Sequence, residues 1–376
     1  MRVFCCSSIE AGSHKAHAIN VVKTAEGFAQ LGHDVTVVWR APAEGAIAAE
    51  ELNRRYSVSR PVRHRQIPWR IAGFDLGPNY RFGRAAALLC RFGRADFVYC
   101  RDFMTPVHAV RLGLPTVVET HAHPDSESLA LSHMVEVSHQ PKLLGLVTIG
   151  EPLVEHFAER GVPREKVRIV PDGVDLSLFQ RPEALPPSPF DGPGPHVVYA
   201  GHLYDYKGIP TILDAAARLP ETSFHLVGGT DEDIARHRHT IAERGLSNVT
   251  LHGRVDHVHV PPYLWHADAL LLPPSANHPS AAWTSPVKLG EYLASGTPVI
   301  ASDIPALRRW LSDDTARFFT ADAGDALARA IESTLADAGE ARSRIASGLR
   351  LARSLAYDRR AAAILDFMPP ANRRAA

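Results

Sequence analysis

The chain has 376 residues, 45% of them hydrophobic and 22% charged, with 41 basic against 41 acidic side chains and a formal net charge of zero. That length suits two domains better than one core, and the composition excludes a disordered or membrane-spanning chain, since no apolar run reaches the ~18 residues a transmembrane helix requires. A chain with no cationic excess has no global drive toward nucleic acid, so no nucleic-acid partner is expected.

In chain order, MRVFCC reads as a strand rather than a secretory signal, and Cys5, Cys6, Cys90 and Cys100 form no CxxC pair, which points to a cytoplasmic protein. Strands are expected at residues 2–6, 34–39, 96–100, 115–118, 144–149 and 167–170. Between the first two, Ala18, Val21, Val22, Ala25, Phe28 and Ala29 recur at helical spacing, and Gly32 stands where a glycine would end the helix. Residues 54–70 carry Arg54, Arg55, Arg60, Arg63, Arg65 and Arg70 around Ile67 and Trp69. Such a run is usually a solvated loop; its functional reading is a weak contact with an anionic membrane, peripheral at the inner face.

Residues 179–195 (FQRPEALPPSPFDGPGP) are too rich in proline and glycine to continue a helix or strand, and read as a linker. The alternation then restarts, with strands near 196–200, 223–227, 248–251, 268–272, 297–301 and 315–318. A final amphipathic helix around 357–367 should pack back on the first domain. The expected organisation is an α/β protein of two Rossmann-like domains, 1–178 (with 356–376) and 196–355, whose parallel sheets face a central cleft.

Two stretches carry chemistry. In HVVYAGHLYDYKGIPTILDAAARL (196–219) a strand runs into Gly201, and Lys207-Gly208 opens a helix. A lysine at a helix N-terminus is a good diphosphate site, because the helix end supplies N–H donors and the lysine a mobile charge. In TSPVKLGEYLASGTPVIASD (284–303) Ser285 can cap a helix beginning at Pro286. Free amides from Ser285 to Lys288 would make a second anion site, and Glu291 could accept ribose hydroxyls. The acidic run Thr230–Asp233 reads as a helix cap rather than a metal motif, and the His121/His123 pair lacks the further ligands zinc needs. An NAD-dependent dehydrogenase is disfavoured, since no GxGxxG follows the first strand.

Taken together, the Gly12 loop, VETH (118–121), VRIVPDGVDLSLF (167–179), AGHLYDYKG, HGRV (252–255), ADALLLPPS (267–275) and SPVKLGEYLASGTPVIASD resemble a retaining glycosyltransferase of family 4, with the GT-B fold. The resemblance spans almost the whole chain. It implies that Lys207 and the amides around Ser285, Pro286, Val287 and Lys288 bind the donor diphosphate, that Glu291 holds the ribose, and that Arg254 and Val255 flank the base. It also implies that His121 faces the transferred sugar, that His121 and Lys207 are the catalytic pair, and that Gly12, Ser13 and Gly201 approach the donor closely.

Two positions depart from the family pattern: His202 stands where an arginine is common, and Trp283 where a glutamate contacts donor-sugar hydroxyls. The implied chemistry is retaining transfer from a nucleotide sugar, with UDP-sugar favoured, without a metal or a cofactor beyond that co-substrate. The acceptor stays open among small-molecule, lipid-linked and glycan classes. A catalytically silent relative that binds a nucleotide sugar or a partner, and a GT-B sugar-nucleotide epimerase, stand as alternatives.

Overall fold

The structure, a computed structural model, describes residues 1–68, 70–71, 74–75, 80–121, 129–282 and 287–369. The chain divides into two compact units, Met1–Gly173 with Ala356–Ala376, and Val174–Leu355.

The first unit contains β1 (Arg2–Glu10), β2 (Asp34–Arg40), β3 (Arg63–Ile67), a short antiparallel pair β4 (Arg70–Ile71) and β5 (Phe74–Asp75), then β6 (Phe97–Cys100), β7 (Thr116–Glu119), β8 (Leu143–Thr148) and β9 (Val167–Ile169). Its seven-stranded parallel sheet runs β3-β2-β1-β6-β7-β8-β9. The inner strands β6 and β7 are buried at every residue, as expected of a sheet covered by helices on both faces. The helix Ala16–Gln30 presses Val21, Val22, Ala25 and Phe28 into a core with Val3, Cys5, Val37 and Trp39, and Gly32 follows it at a φ of 86°. All four cysteines are free and buried.

One expectation fails here. Residues 54–70 are not a solvated loop but supply the edge strand β3, in which only His64 and Ile67 face inward while Arg63 and Arg65 are exposed. An edge strand with so polar a sequence carries no apolar alternation strong enough to announce itself. The helix Tyr357–Leu365 packs on Ala16–Gln30, with Ala361, Ile364 and Leu365 in the same core. Contact there is close because position 27 is glycine: a Cβ would run into the Tyr357 carbonyl.

The second unit contains β10 (His196–Ala200), β11 (Ser223–Val227), β12 (Val249–Gly253), β13 (Ala269–Leu272), β14 (Val299–Ser302) and β15 (Arg317–Phe319). They form a parallel sheet ordered β12-β11-β10-β13-β14-β15. The strand order therefore reverses between β10 and β13, the position at which open α/β sheets bind ligands beyond their strand C-termini. Thr230 and Asp233 form a reciprocal capping box on the helix Asp231–Glu243, which accounts for the acidic run.

The units also divide earlier than the composition suggests, at 173/174 rather than beyond 178. Val174, Phe179 and Phe190 are buried in the core of the second unit together with Tyr292 and Leu293, so the proline-rich segment is pinned to that unit rather than strung free as a linker.

Gly208 holds a φ of 88°, and a Cβ there would overlap the Pro273 backbone carbonyl. Gly208→Ala should therefore lose more than the ~1–2 kcal/mol of left-handed strain. Gly245, at a φ of 63° with nothing nearby, should lose only that strain on substitution by Ala. Thermal melts of the two variants check this, and equal losses would contradict the proposed overlap.

Candidate functional site

In the second unit the ends of three neighbouring strands carry glycine. Gly201 (φ 144°) follows β10, Gly228 (φ 115°) follows β11, and Gly253 (φ 74°) ends β12. They are stitched by backbone hydrogen bonds, Gly201 N donating to Val227 O at 2.8 Å and Gly228 N to Gly253 O at 2.7 Å. These glycines allow close approach: a Cβ at 228 would run into the Gly201 carbonyl, and one at 201 into Lys288 Nζ. From β10 the chain turns through His202 and Tyr204 to Lys207 and Gly208, and Ser275 N donates to Tyr206 O at 3.0 Å, which ties this turn to the segment after β13. Lys207 is thus placed at the reversal of strand order.

The rings of His202, Tyr204, Tyr206 and His278 stack in succession at centroid separations of 5.0, 5.5 and 4.1 Å, stiffening the turn. An open cavity of about 310 Å³ adjoins it, lined by Tyr206, Thr211, Ser275, Asn277, His278 and Asp322 among others.

Two ammonium groups define the electrostatics of this edge. Lys207 Nζ lies 5.0 Å from the Tyr206 ring centroid, and Lys288 Nζ, from the helix Val287–Ala294, lies 3.9 Å from that of Tyr199. Burial lowers the pKa of Lys207, and burial together with the Lys207 charge brings Lys288 down to about 7, against an opposing pull from Glu291. His202 is lowered by burial and by both lysines. Among the described residues no carboxylate forms an ion pair with either lysine. Each ammonium faces a ring π-cloud, and Glu291 is the carboxylate that acts on Lys288 from a distance.

The remaining expected donor residues are placed as follows. Glu291 receives a hydrogen bond from His257 Nε2 at 2.7 Å, so its carboxylate already has one partner. Arg254 is exposed, and Val255 is half-buried against the core of the unit. Trp283, Ser285 and Pro286 lie outside the described residues, as does the side chain of Val287, which begins its helix.

In the first unit, Gly12 and Ser13 follow β1 and are tied down by their carbonyls. Arg55 Nη1 donates to Gly12 O at 3.0 Å and the Tyr56 hydroxyl to Ser13 O at 2.8 Å. His121 stands two residues beyond the buried Glu119, and its Nε2 donates to Glu119 Oε1 at 2.6 Å, with Nδ1 3.7 Å from Asp172 Oδ1. Arg360, from the helix Tyr357–Leu365, donates to Glu119 Oε2 at 2.5 Å and to Pro171 O at 2.9 Å, and Tyr99 donates to the same Glu119 oxygen. Arg101 Nε adds a contact at 3.6 Å, and Asn20 Nδ2 donates to Asp172 Oδ1 at 2.7 Å.

Burial alone would raise the Glu119 pKa, but Arg360, His121 and Arg101 hold it well below the carboxylate range. Nearby, burial with the charges of Arg101 and His121 pushes His17 down to about 3, so it is neutral and shares a 2.9 Å hydrogen bond with Ser7. Glu119, His121 and Asp172 can bring one ligand atom each within 4.8 Å of one another. Two guanidinium groups already neutralise Glu119, however, and would repel a dication.

Sequence reasoning missed Arg360, Arg101, Tyr99, Asn20 and Asp172. A glutamate ending the buried strand TVVE is itself a signal that a cation must come from somewhere, since such a group is almost never buried unpaired. Which cation, and from how far along the chain, has no local signature.

Two Rossmann-like parallel sheets, one in each unit, are the architecture of the GT-B fold. Residues 18–178 match the model of Glycosyltransferase Family 4 and residues 194–337 that of Glycosyl transferases group 1, and together they make the chain a glycosyltransferase of the family 4 type. It is 26% identical over 330 residues to a phosphatidyl-myo-inositol mannosyltransferase of Mycolicibacterium smegmatis, covering 85% of this chain and 80% of the relative. It is likewise 26% identical to a D-inositol 3-phosphate glycosyltransferase of Xylanimonas cellulosilytica, over 71% of this chain and 69% of that one. In fold it resembles Anabaena HepE, solved in complex with UDP, with a TM-score of 0.73 at 14% identity over 97% of this chain and 99% of the other.

The buried pair gives a direct test. Arg360→Met should cost about 3–5 kcal/mol in urea unfolding by stranding Glu119, and Glu119→Gln added to it should restore part of the loss. Because the folded pKa of Glu119 is depressed, its stabilisation is present above the unfolded carboxylate pKa and fades as pH falls through the folded value. The gap between wild type and Arg360→Met should therefore narrow in acid; a gap independent of pH would refute the pairing.

Proposed function

We propose that this glycosyltransferase uses a UDP-sugar and transfers the sugar with retention, gripping the donor diphosphate at the C-terminal edge of the second sheet. The observation that supports the reading is the lysine pair, Lys207 and Lys288, which has no carboxylate ion pair among the described residues, at the reversal of strand order. Lys207 neutralises one phosphate, and Lys288 with the amides opening its helix takes the other. Glu291 turns to the ribose while His257 steadies it, and Arg254 and Val255 border the base. UDP is favoured because it is the commonest donor nucleotide in the family resemblance, and HepE was solved in complex with it.

The leaving diphosphate accepts the proton of the incoming hydroxyl, so no carboxylate nucleophile, metal or cofactor is required. Catalysis is then electrostatic stabilisation of the departing charge plus orientation. In the first unit, the family resemblance assigns Gly12, Ser13 and His121 to the sugar and acceptor. For the acceptor we propose an inositol-bearing molecule, on the strength of the two named relatives. No described helix is long and apolar enough to cross a membrane, and we place the protein in the cytoplasm. The second reading, a silent nucleotide-sugar binder, is favoured by His202 in a position usually held by arginine. Release of UDP on incubation with donor and inositol acceptors separates the two.

Lys207→Ala should reduce turnover at least about a hundredfold, the loss of one transition-state donor worth ~3 kcal/mol; near-normal turnover would remove the central residue. UDP affinity should also depend on pH. A diphosphate favours the ammonium form of Lys288, whose free-protein pKa is about 7. Raising the pH above that value strips the proton from the free protein first, so titration calorimetry should show binding weakened by about tenfold for each pH unit crossed, until the bound-state pKa is reached. In Lys288→Met that dependence should vanish, and a wild-type affinity flat across this range would count against the assignment.

A further inference from the structure

Three loops at the C-terminal end of the second sheet build the cavity beside the Lys207 turn. Ser275 N donates to Tyr206 O at 3.0 Å, which joins the segment after β13 to the turn after β10. Asp322, in the loop after β15 and at a φ of 59°, accepts from Ala276 N at 2.9 Å and from Asn277 Nδ2 at 3.1 Å, which ties in the third loop. The volume of about 310 Å³ lies at the lower end of the range for small-molecule pockets, about 300–1,000 Å³.

The walls carry polar groups that the fold leaves unused. Thr211, in the first turn of the helix Ile209–Ala216, is only 5% exposed, and its hydroxyl has no hydrogen-bond partner among the described residues. A buried hydroxyl without a partner destabilises the fold, so its position is accounted for by something that enters the cavity. Nor does the Tyr206 hydroxyl have a partner among the described residues. His278 Nδ1 accepts from Ser280 N at 3.2 Å, which leaves the ring proton on Nε2 as a donor with no partner among the described residues. Beside these groups the Tyr206 and His278 rings form a stacked pair, with centroids 4.1 Å apart and planes 15° from parallel.

The charge of the lining sets the class of ligand. Asp205 and Asp322 both line the cavity, and among the described residues no lysine or arginine does, so a phosphate would be repelled. A cation is not called for either: Asp322 Oδ2 already accepts two N–H groups, and Asp205 lies 3.7 Å from Arg236. What is left is a set of donors and acceptors beside flat rings. Neighbouring hydroxyls on a pyranose donate and accept together, and its C–H face is apolar.

We propose that this cavity binds one unit of a neutral saccharide, its hydroxyls meeting Thr211, Asn277 and the two aspartates and its C–H face lying against the Tyr206–His278 pair. The site lies wholly within the second unit and does not rest on the assignment of the donor to the lysine pair, whose charge favours an anion.

Saturation-transfer NMR on the full chain tests this with the methyl pyranosides of glucose, mannose and galactose and with maltotriose as probes, in the presence of excess UDP. At least one probe should show transfer that UDP leaves in place. Thr211→Val and Asn277→Ala should each weaken its binding about fivefold, the loss of one hydrogen bond. Thr211→Val should melt no lower than wild type, because the hydroxyl it removes is unpartnered, so its lost binding is not lost folding. The 6-phosphate of the bound sugar should bind at least about fivefold more weakly than the neutral sugar, since two carboxylates face it. Absence of transfer from every neutral probe would overturn the proposal. So would displacement of the probe by UDP, tighter binding of the phosphorylated sugar, or undiminished binding by both variants.

Discussion

Two positive charges near each other at the end of a parallel sheet, with no carboxylate ion pair to balance them among the described residues, are the constraint on which the second unit turns. Lys207 is carried by the turn after β10 and Lys288 by a helix some eighty residues on, so neither position is meaningful without the sheet between them. The surrounding structure lowers the cost of holding them, through ring faces under each ammonium and a partial shift of Lys288 toward its neutral form. Glycine at position 201 is equally specific, because a Cβ there would collide with Lys288 Nζ. The diphosphate proposed for this place would replace repulsion with attraction, the way a preorganised site stabilises developing charge.

The first unit solves the opposite problem, a carboxylate that is buried. Glu119 ends a strand with no exposed residue and is balanced by Arg360, which arrives from the far end of the chain. The C-terminal helix is therefore more than a lid over apolar surface, since it supplies the counter-charge for the residue that orients His121. A guanidinium suits this place because it serves Glu119, Pro171 O and Thr24 Oγ1 together from one rigid fork.

Much of the architecture was readable from the residues in order. All six strands of the second sheet, the helix Ala16–Gln30 and its closing glycine, and the capping role of Thr230 follow from periodicities and end signals within a few residues of one another. Lys207-Gly208 at a helix opening was legible for the same reason. The edge strand β3 was not, because its inward positions are a histidine and an isoleucine set among arginines. The attachment of Phe179 and Phe190 to the second core was also hidden by the prolines and glycines around them.

By itself, then, the sequence determined most of the elements, the class of fold and the candidate residues for a diphosphate, since these depend on spacing along the chain. Only the tertiary structure decided that Lys288 joins Lys207 and is shifted by it, that Arg360 and Asp172 complete the surroundings of His121, and that three loops of the second unit enclose a polar cavity beside Tyr206 and His278. The reason is physical. Burial and electrostatic interaction depend on distance in space, and partners as far apart as Glu119 and Arg360 leave no mark on each other until the chain has folded.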